Sequence, residues 1–255
     1  MAQSPSVDIS EHLEQLHVHG TGLVDAAEQA GVDAAVPTCP DWAVRDLLGH
    51  IGRVHRWAAT FVDGRTEPPR GDHELATVPD ADDELAGWVL EGLAALVAAI
   101  RNAPADRECW TFLPAPTPLA FWARRQAHET AIHHVDAASA AGIDVAIDTR
   151  LAVDGIDELL LGFFNRPRGR LLADPPVTLG VRAVDGRDGD EWSMRIDGNG
   201  RETNRGLARG ECIVSGPAAA LYRFLWNRSG DDALTVDGDR RVLDLWRQKA
   251  RITWS

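Results

Sequence analysis

His128-Glu129-Thr130-Ala131-Ile132-His133, read together with Asp46-Leu47-Leu48-Gly49-His50-Ile51 farther upstream, decides how this chain is organised. Residues four apart on a helix are turned by only about 40° and stacked one above the other. Glu129 and His133 can therefore aim a carboxylate oxygen and an imidazole nitrogen at one point. His50 shares a face with Leu47, Val54, Trp57 and Phe61, at offsets of three, four, seven and eleven, which is the spacing of a buried helical stripe. It points inward and can bring a third donor from a neighbouring helix. Two nitrogens and one carboxylate suit a borderline divalent cation such as zinc, and three protein ligands leave a coordination position open to water or substrate. An open position implies chemistry rather than stapling alone.

Each residue also has a bland reading. A Glu and a His four apart are commonly a solvated surface pair, and a single inward His is commonly a hydrogen-bonded core residue. Against this, three inward polar groups need partners, and one cation satisfies them together. The other nearby histidines fit the cluster less well. His55 lies about 140° around the helix from His50, and His128 and His134 about 100° from Glu129 and His133, so solvated or outer-layer roles are expected for them. Asp136 stands near one turn beyond His133, where it could accept from the imidazole as an outer partner; exposure to solvent is the simpler expectation. The metalloprotease pattern is excluded, because Ile132 occupies the position of its second His. Glu129 is then a ligand and is not free to serve as a general base.

Organisation follows from the same periodicities. Before Gly142 there are four amphipathic segments: about Ile9 to Ala30 with Asp8 and Glu11 as a capping pair, a second beginning at Asp41 or Ala43, a third from about Asp82 to Ala103, and a fourth from Pro118 to Gly142. Gly20 and Gly22, on or near the seam of the first, either loosen it or admit a close neighbour. Four helices of similar length make a bundle, whose interior is where facing side chains build metal sites. Beyond Asp144 the pattern changes. A helix-like stretch, Leu151 to Phe164, precedes an alternating strand at Val177–Val184, a loop at Asp185–Asp190, strands at Glu191–Ile196 and Glu211–Ser215, and a helix opened by Pro217. Leu234-Thr235-Val236, a short helix near Leu243 to Trp246, and Ile252-Thr253-Trp254 close the chain. Gly198-Asn199-Gly200 reads as an ordinary turn. The expected fold class is a two-domain α+β chain, with a four-helix bundle at 1–142 and a smaller α+β domain at 143–255.

Composition sets outer bounds. The chain has 255 residues, a net charge of -13 and a pI near 5.1, so no basic stripe is available to neutralise nucleic-acid phosphates or anionic membranes. The apolar run Leu93–Ile100 is too short to span a bilayer, and Met1–Asp8 lacks the basic start and apolar stretch of a secretory leader. A cytoplasmic protein with no nucleic-acid or membrane partner is expected. Three cysteines, Cys39, Cys109 and Cys212, suggest neither a disulfide framework nor a thiolate zinc knuckle.

Two runs, Val36-Pro37-Thr38-Cys39-Pro40-Asp41-Trp42-Ala43-Val44-Arg45-Asp46-Leu47-Leu48-Gly49-His50 and Phe121 through Ala137, resemble the mycothiol-dependent maleylpyruvate isomerase family. Asp41 and Ala43 depart from the Gly and Ser/Thr of that pattern. The resemblance implies a DinB-like metal-binding bundle followed by a domain similar to sterol carrier protein 2, and a zinc ion held at His50, Glu129 and His133. It implies mycothiol as cosubstrate and a small-molecule electrophile as the other partner. Ser215 through Arg228 is similar to the family's strand-helix run, which makes Arg228 a candidate contact for an anion or the thiol. A thiol with a pKa near 8.5 is mostly protonated at neutral pH, and a divalent cation at an open site favours the thiolate. Addition to a conjugated cis double bond, rotation and expulsion would make an isomerase; a persisting adduct would make a transferase. Arg53, Arg56, Arg124 and Arg125 could clamp substrate carboxylates, although surface helix positions suit them better. Two alternatives remain open: a non-catalytic small-ligand binder or regulator, and a hydrolase using a metal-bound water.

Overall fold

The computed structural model describes residues 7–68, 76–167 and 169–252. The chain divides into two compact units, residues 1–145 and 146–255. The first contains four helices, α1 (Ile9–Ala30), α2 (Val44–Val62), α3 (Asp82–Asn102) and α4 (Pro118–Ala141). Local chemistry sets their ends. The Asp8 carboxylate accepts from Glu11 N while Glu11 accepts from Asp8 N, a reciprocal cap that satisfies two of the first-turn donors. The second helix is capped at Ala43, whose amide donates to Asp46 Oδ2. Thr117 caps α4 ahead of Pro118, and Gly142 ends it in the left-handed conformation at φ 68°.

Within this unit α1 packs chiefly on α4 and α2 on α3, with α2 also against α4 and α1 against α3. The seam glycines admit close neighbours: a Cβ on Gly20 would lie 2.5 Å from Leu93, and one on Gly22 would lie 2.4 Å from the His134 ring. Leu85, Val89, Leu93, Leu96 and Ile100 form the buried stripe of α3. An aromatic cluster of Trp57, Phe61, Trp110 and Trp122 continues the His50 stripe, with Phe61 and Trp122 stacked at 5.1 Å. Helix α4 differs from the others in being buried almost all round, His128 through His133 included. Polar side chains on such a helix must find partners inside the protein.

The second unit holds a five-stranded sheet, in the order β3-β2-β1-β4-β5, formed by β1 (Val177–Ala183), β2 (Glu191–Ile196), β3 (Arg201–Arg205), β4 (Cys212–Gly216) and β5 (Thr235–Gly238). Neighbours are antiparallel except β1 with β4, which run parallel. Helix α6 (Ala218–Leu225) packs on β1 and β4, α7 (Arg241–Lys249) packs on β1, and α5 (Thr149–Asp157) packs on α6. Trp192, Met194 and Ile196 alternate into the core as the β2 pattern requires. The two units together make the expected α+β chain.

Three details differ from expectation. The 151–164 stretch is helical only to Asp157 and then widens into a π-helical turn at Glu158–Phe163, with Phe164 N donating to Leu159 O. Strand β3 carries no apolar alternation, since only Thr203 turns inward, so its polar sequence hid it. Pro217 stands at the cap of α6 rather than at its first position. Thr253 and Trp254 lie outside the described residues, as does the 1–6 start.

Candidate metal centre

Helices α2 and α4 bring the three predicted donors together. One ligand atom each from His50, Glu129 and His133 lies within 4.8 Å of the others. Glu129 Oε1 is the hub, 3.3 Å from His50 Nε2 and 3.4 Å from His133 Nε2. These spacings are longer than those of the charge-assisted contacts around them. Arg125 Nη2 donates to Glu129 Oε2 at 2.8 Å, and His133 Nδ1 donates to Asp136 Oδ2 at 2.8 Å. Two donors each about 2.0–2.1 Å from an ion at a tetrahedral angle stand about 3.3–3.4 Å apart. The donor set and its spacing therefore fit zinc. His50 has a side chain 24% exposed while Glu129 and His133 are buried.

The electrostatics follow from burial and partners. Burial raises the Glu129 pKa, but hydrogen bonds from His133 and His50 and the Arg125 charge outweigh it and hold the carboxyl well below its usual range. Burial also opposes charge on His133. There the Asp136 and Glu129 contacts win, and its pKa rises to about 9 in the absence of a cation. Trp42, half-buried in the loop before α2, lies 5.0 Å from the His50 ring and 6.0 Å from the His133 ring.

Several expectations about neighbours are corrected. Asp136 is wholly buried and pairs with His133, because α4 is enclosed on this side rather than facing solvent. His55 is also buried, with Nε2 at 2.9 Å from Thr130 Oγ1, and burial drives its pKa down to about 3. His128 is buried at 5.9 Å from the His12 ring, and His134 Nδ1 lies 3.0 Å from His19 Nδ1. Arg125 is 1% exposed and belongs to the cluster. It lies four residues before Glu129, the same spacing that singles out His133, so the signal for it was present. Arg53 and Arg56 donate instead to the carbonyls of Ala76 and Trp88, while Arg124 is half-buried. Thr38 and Cys39, which both reach Asp136, carry no such signal, because their contact is made by a loop folding back on α4. Arg228 is in the second unit, where its guanidinium donates to Trp226 O. No described helix is long and apolar enough to cross a membrane.

The chain is similar to known proteins over both units. Residues 13–138 match the family model of the mycothiol maleylpyruvate isomerase N-terminal domain, and residues 150–245 match that of the C-terminal domain of the same enzyme. No curated protein sequence matches the chain. Two similar solved structures are the mycothiol-dependent maleylpyruvate isomerase, with TM-score 0.57 and 16% identity, and its His-to-Ala variant, with TM-score 0.59 and 14% identity. Each alignment covers 90% of this chain and 92% of the other. At such identity the structural likeness speaks to the fold alone. The two family matches together take in most of the chain, one on each unit, and on that ground the chain belongs to the mycothiol-dependent maleylpyruvate isomerase family of enzymes.

Proposed function

We propose that this protein binds a divalent cation, zinc by preference, through His50, Glu129 and His133, and uses mycothiol to attack a small conjugated electrophile. A maleylpyruvate-like substrate is the first candidate, with cis-trans isomerisation as the reaction. The observation that carries the reading is the pair of 3.3 and 3.4 Å donor spacings around Glu129 Oε1, in a family whose models are named for a mycothiol isomerase. When bound, the cation supplies a Lewis-acid position that favours thiolate over thiol at neutral pH.

The chain's own residues prepare that position. Arg125 engages Glu129 Oε2 and leaves Oε1 toward the two imidazoles. Asp136 accepts a hydrogen bond from His133 Nδ1 and so directs Nε2 toward the centre, where a bound cation would replace the Nε2 proton. Trp42 lies beside both ligand rings, its ring centroid 5.0 Å from that of His50 and 6.0 Å from that of His133. Among the described residues no cysteine joins the His50, Glu129 and His133 group; Cys39 is turned to Asp136, and partial burial raises the Cys109 pKa. The nucleophile is thus expected from the cosubstrate.

The test is mycothiol-dependent turnover of a panel of electrophiles, maleylpyruvate among them, with metal content measured in parallel. Zinc near one equivalent, loss of turnover with a chelator, and loss of both metal and turnover in Glu129→Ala and His133→Ala are the expected results. Turnover that survives metal stripping would refute the reading, and turnover that needs metal but no thiol would replace it with a hydrolase.

A further inference from the structure

The loop from Val36 to Trp42 is closed on itself. Val36 N donates to Trp42 O, Cys39 N to Val36 O, and Trp42 N to Cys39 O, each at 2.9 Å, and an antiparallel bridge joins Ala35 to Ala43 at its base. From this frame two side chains reach the wholly buried Asp136. Thr38 Oγ1 donates to Oδ1 at 2.6 Å, and Cys39 Sγ approaches Oδ2 at 3.5 Å. Oδ2 is also the acceptor of the His133 Nδ1 proton.

We propose that Thr38, assisted by Cys39, is a positioning residue of the metal centre: it pins one oxygen of Asp136 so that the other fixes the ring and the tautomer of His133. The inference rests on His133 being a ligand. An aspartate carboxylate turns readily about its last side-chain bond, and a donor on Oδ1 removes that freedom. With Oδ2 held in place, the imidazole keeps its proton on Nδ1 and directs Nε2 toward Glu129 and the cation site. The closed loop fixes the backbone that presents Thr38 to Asp136. Partners that orient a ligating His typically contribute about 10–100-fold to metal affinity.

The experiment measures zinc affinity of the metal-free protein by competition with a chromophoric chelator, for wild type, Thr38→Val and Thr38→Ser. Thermal unfolding of each metal-free protein serves as the folding control. Thr38→Val keeps the shape of the side chain and removes the donor, and it is expected to weaken zinc binding by about tenfold or more. Thr38→Ser restores the hydroxyl and is expected to bind within a few-fold of wild type. Equal affinity of Thr38→Val and wild type would overturn the proposal, as would a Thr38→Ser protein as weak as Thr38→Val. Should Thr38→Val not fold, Thr38→Ala replaces it in the same comparison. A wild-type protein that takes up no zinc would instead bring down the metal-centre reading itself, and the two failures are told apart by that control.

Discussion

Arg125 shows what one side chain does at this centre. Its guanidinium is almost fully buried and spends one donor on Glu129 Oε2. Removing one partner of such a pair leaves the other as an uncompensated buried charge, which generally costs about 3–5 kcal/mol. Arg125→Met is therefore expected to lower the unfolding free energy of the metal-free protein by about 3 kcal/mol in a denaturant titration. Saturating zinc should shrink the deficit, because a cation on Oε1 then neutralises the same carboxylate. An equal deficit with and without zinc would contradict the placement of Glu129 at the cation site. Residue-scale sequence logic did well where spacing along one helix was enough, as for Glu129 and His133. It undervalued Arg125, which shares their stripe, because arginine on an amphipathic helix is most often at the surface.

At the scale of elements, the approach of α2 to α3 holds His50 in position. A Cβ on Gly52 would fall 2.1 Å from the Trp88 ring, and one on Gly92 would fall 2.4 Å from Arg56 Nη1. Trp88 is held in turn, with the Arg56 guanidinium 4.1 Å above its ring and donating to its carbonyl. Gly52→Val must push α2 away from α3 or displace this ring, a strain of about 1–3 kcal/mol. His50 lies two residues earlier on the same helix. The expected outcome is a lower melting temperature together with weaker zinc binding, and an unchanged melting temperature would count against close packing at this point. The start of α1 and both ends of α4 were readable in advance, because Asp8 with Glu11, Pro118 and Gly142 act through bonds to their immediate neighbours. Strand β3 was not, because Arg-Glu-Thr-Asn-Arg is a strand only by virtue of pairing with β2.

For the molecule as a whole, acid stability should depend on two buried histidines, His55 between α2 and α4 and His19 where α1 meets α4. Burial drives the His19 pKa down to about 4, and burial also lowers that of His134, whose Nδ1 faces the His19 Nδ1 at 3.0 Å. In the unfolded chain a histidine titrates near 6.5. Because the folded value is the lower one, the unfolded state takes up protons first as pH falls. The stability due to neutral His19 is fully present above about pH 6.5 and is lost progressively down to about pH 4, in total on the order of 3 kcal/mol. Denaturation midpoints should fall as pH drops below 6.5, and fall less in His19→Gln; an undiminished slope in that variant would show that the loss arises elsewhere. The sequence by itself determined the four helices of the first unit, the caps at Asp8 and Gly142, most strands, the change from helical to strand periodicity after Asp144, and the angular match of Glu129 with His133. All of these are consequences of backbone geometry and of contacts within a few residues. Only the tertiary structure decided that His50 meets Glu129 at 3.3 Å, that Asp136, Arg125 and His55 are buried, and that Thr38 closes on Asp136. A helix determines directions about its own axis. Which faces meet, and how deeply, depends on the packing of elements distant in sequence.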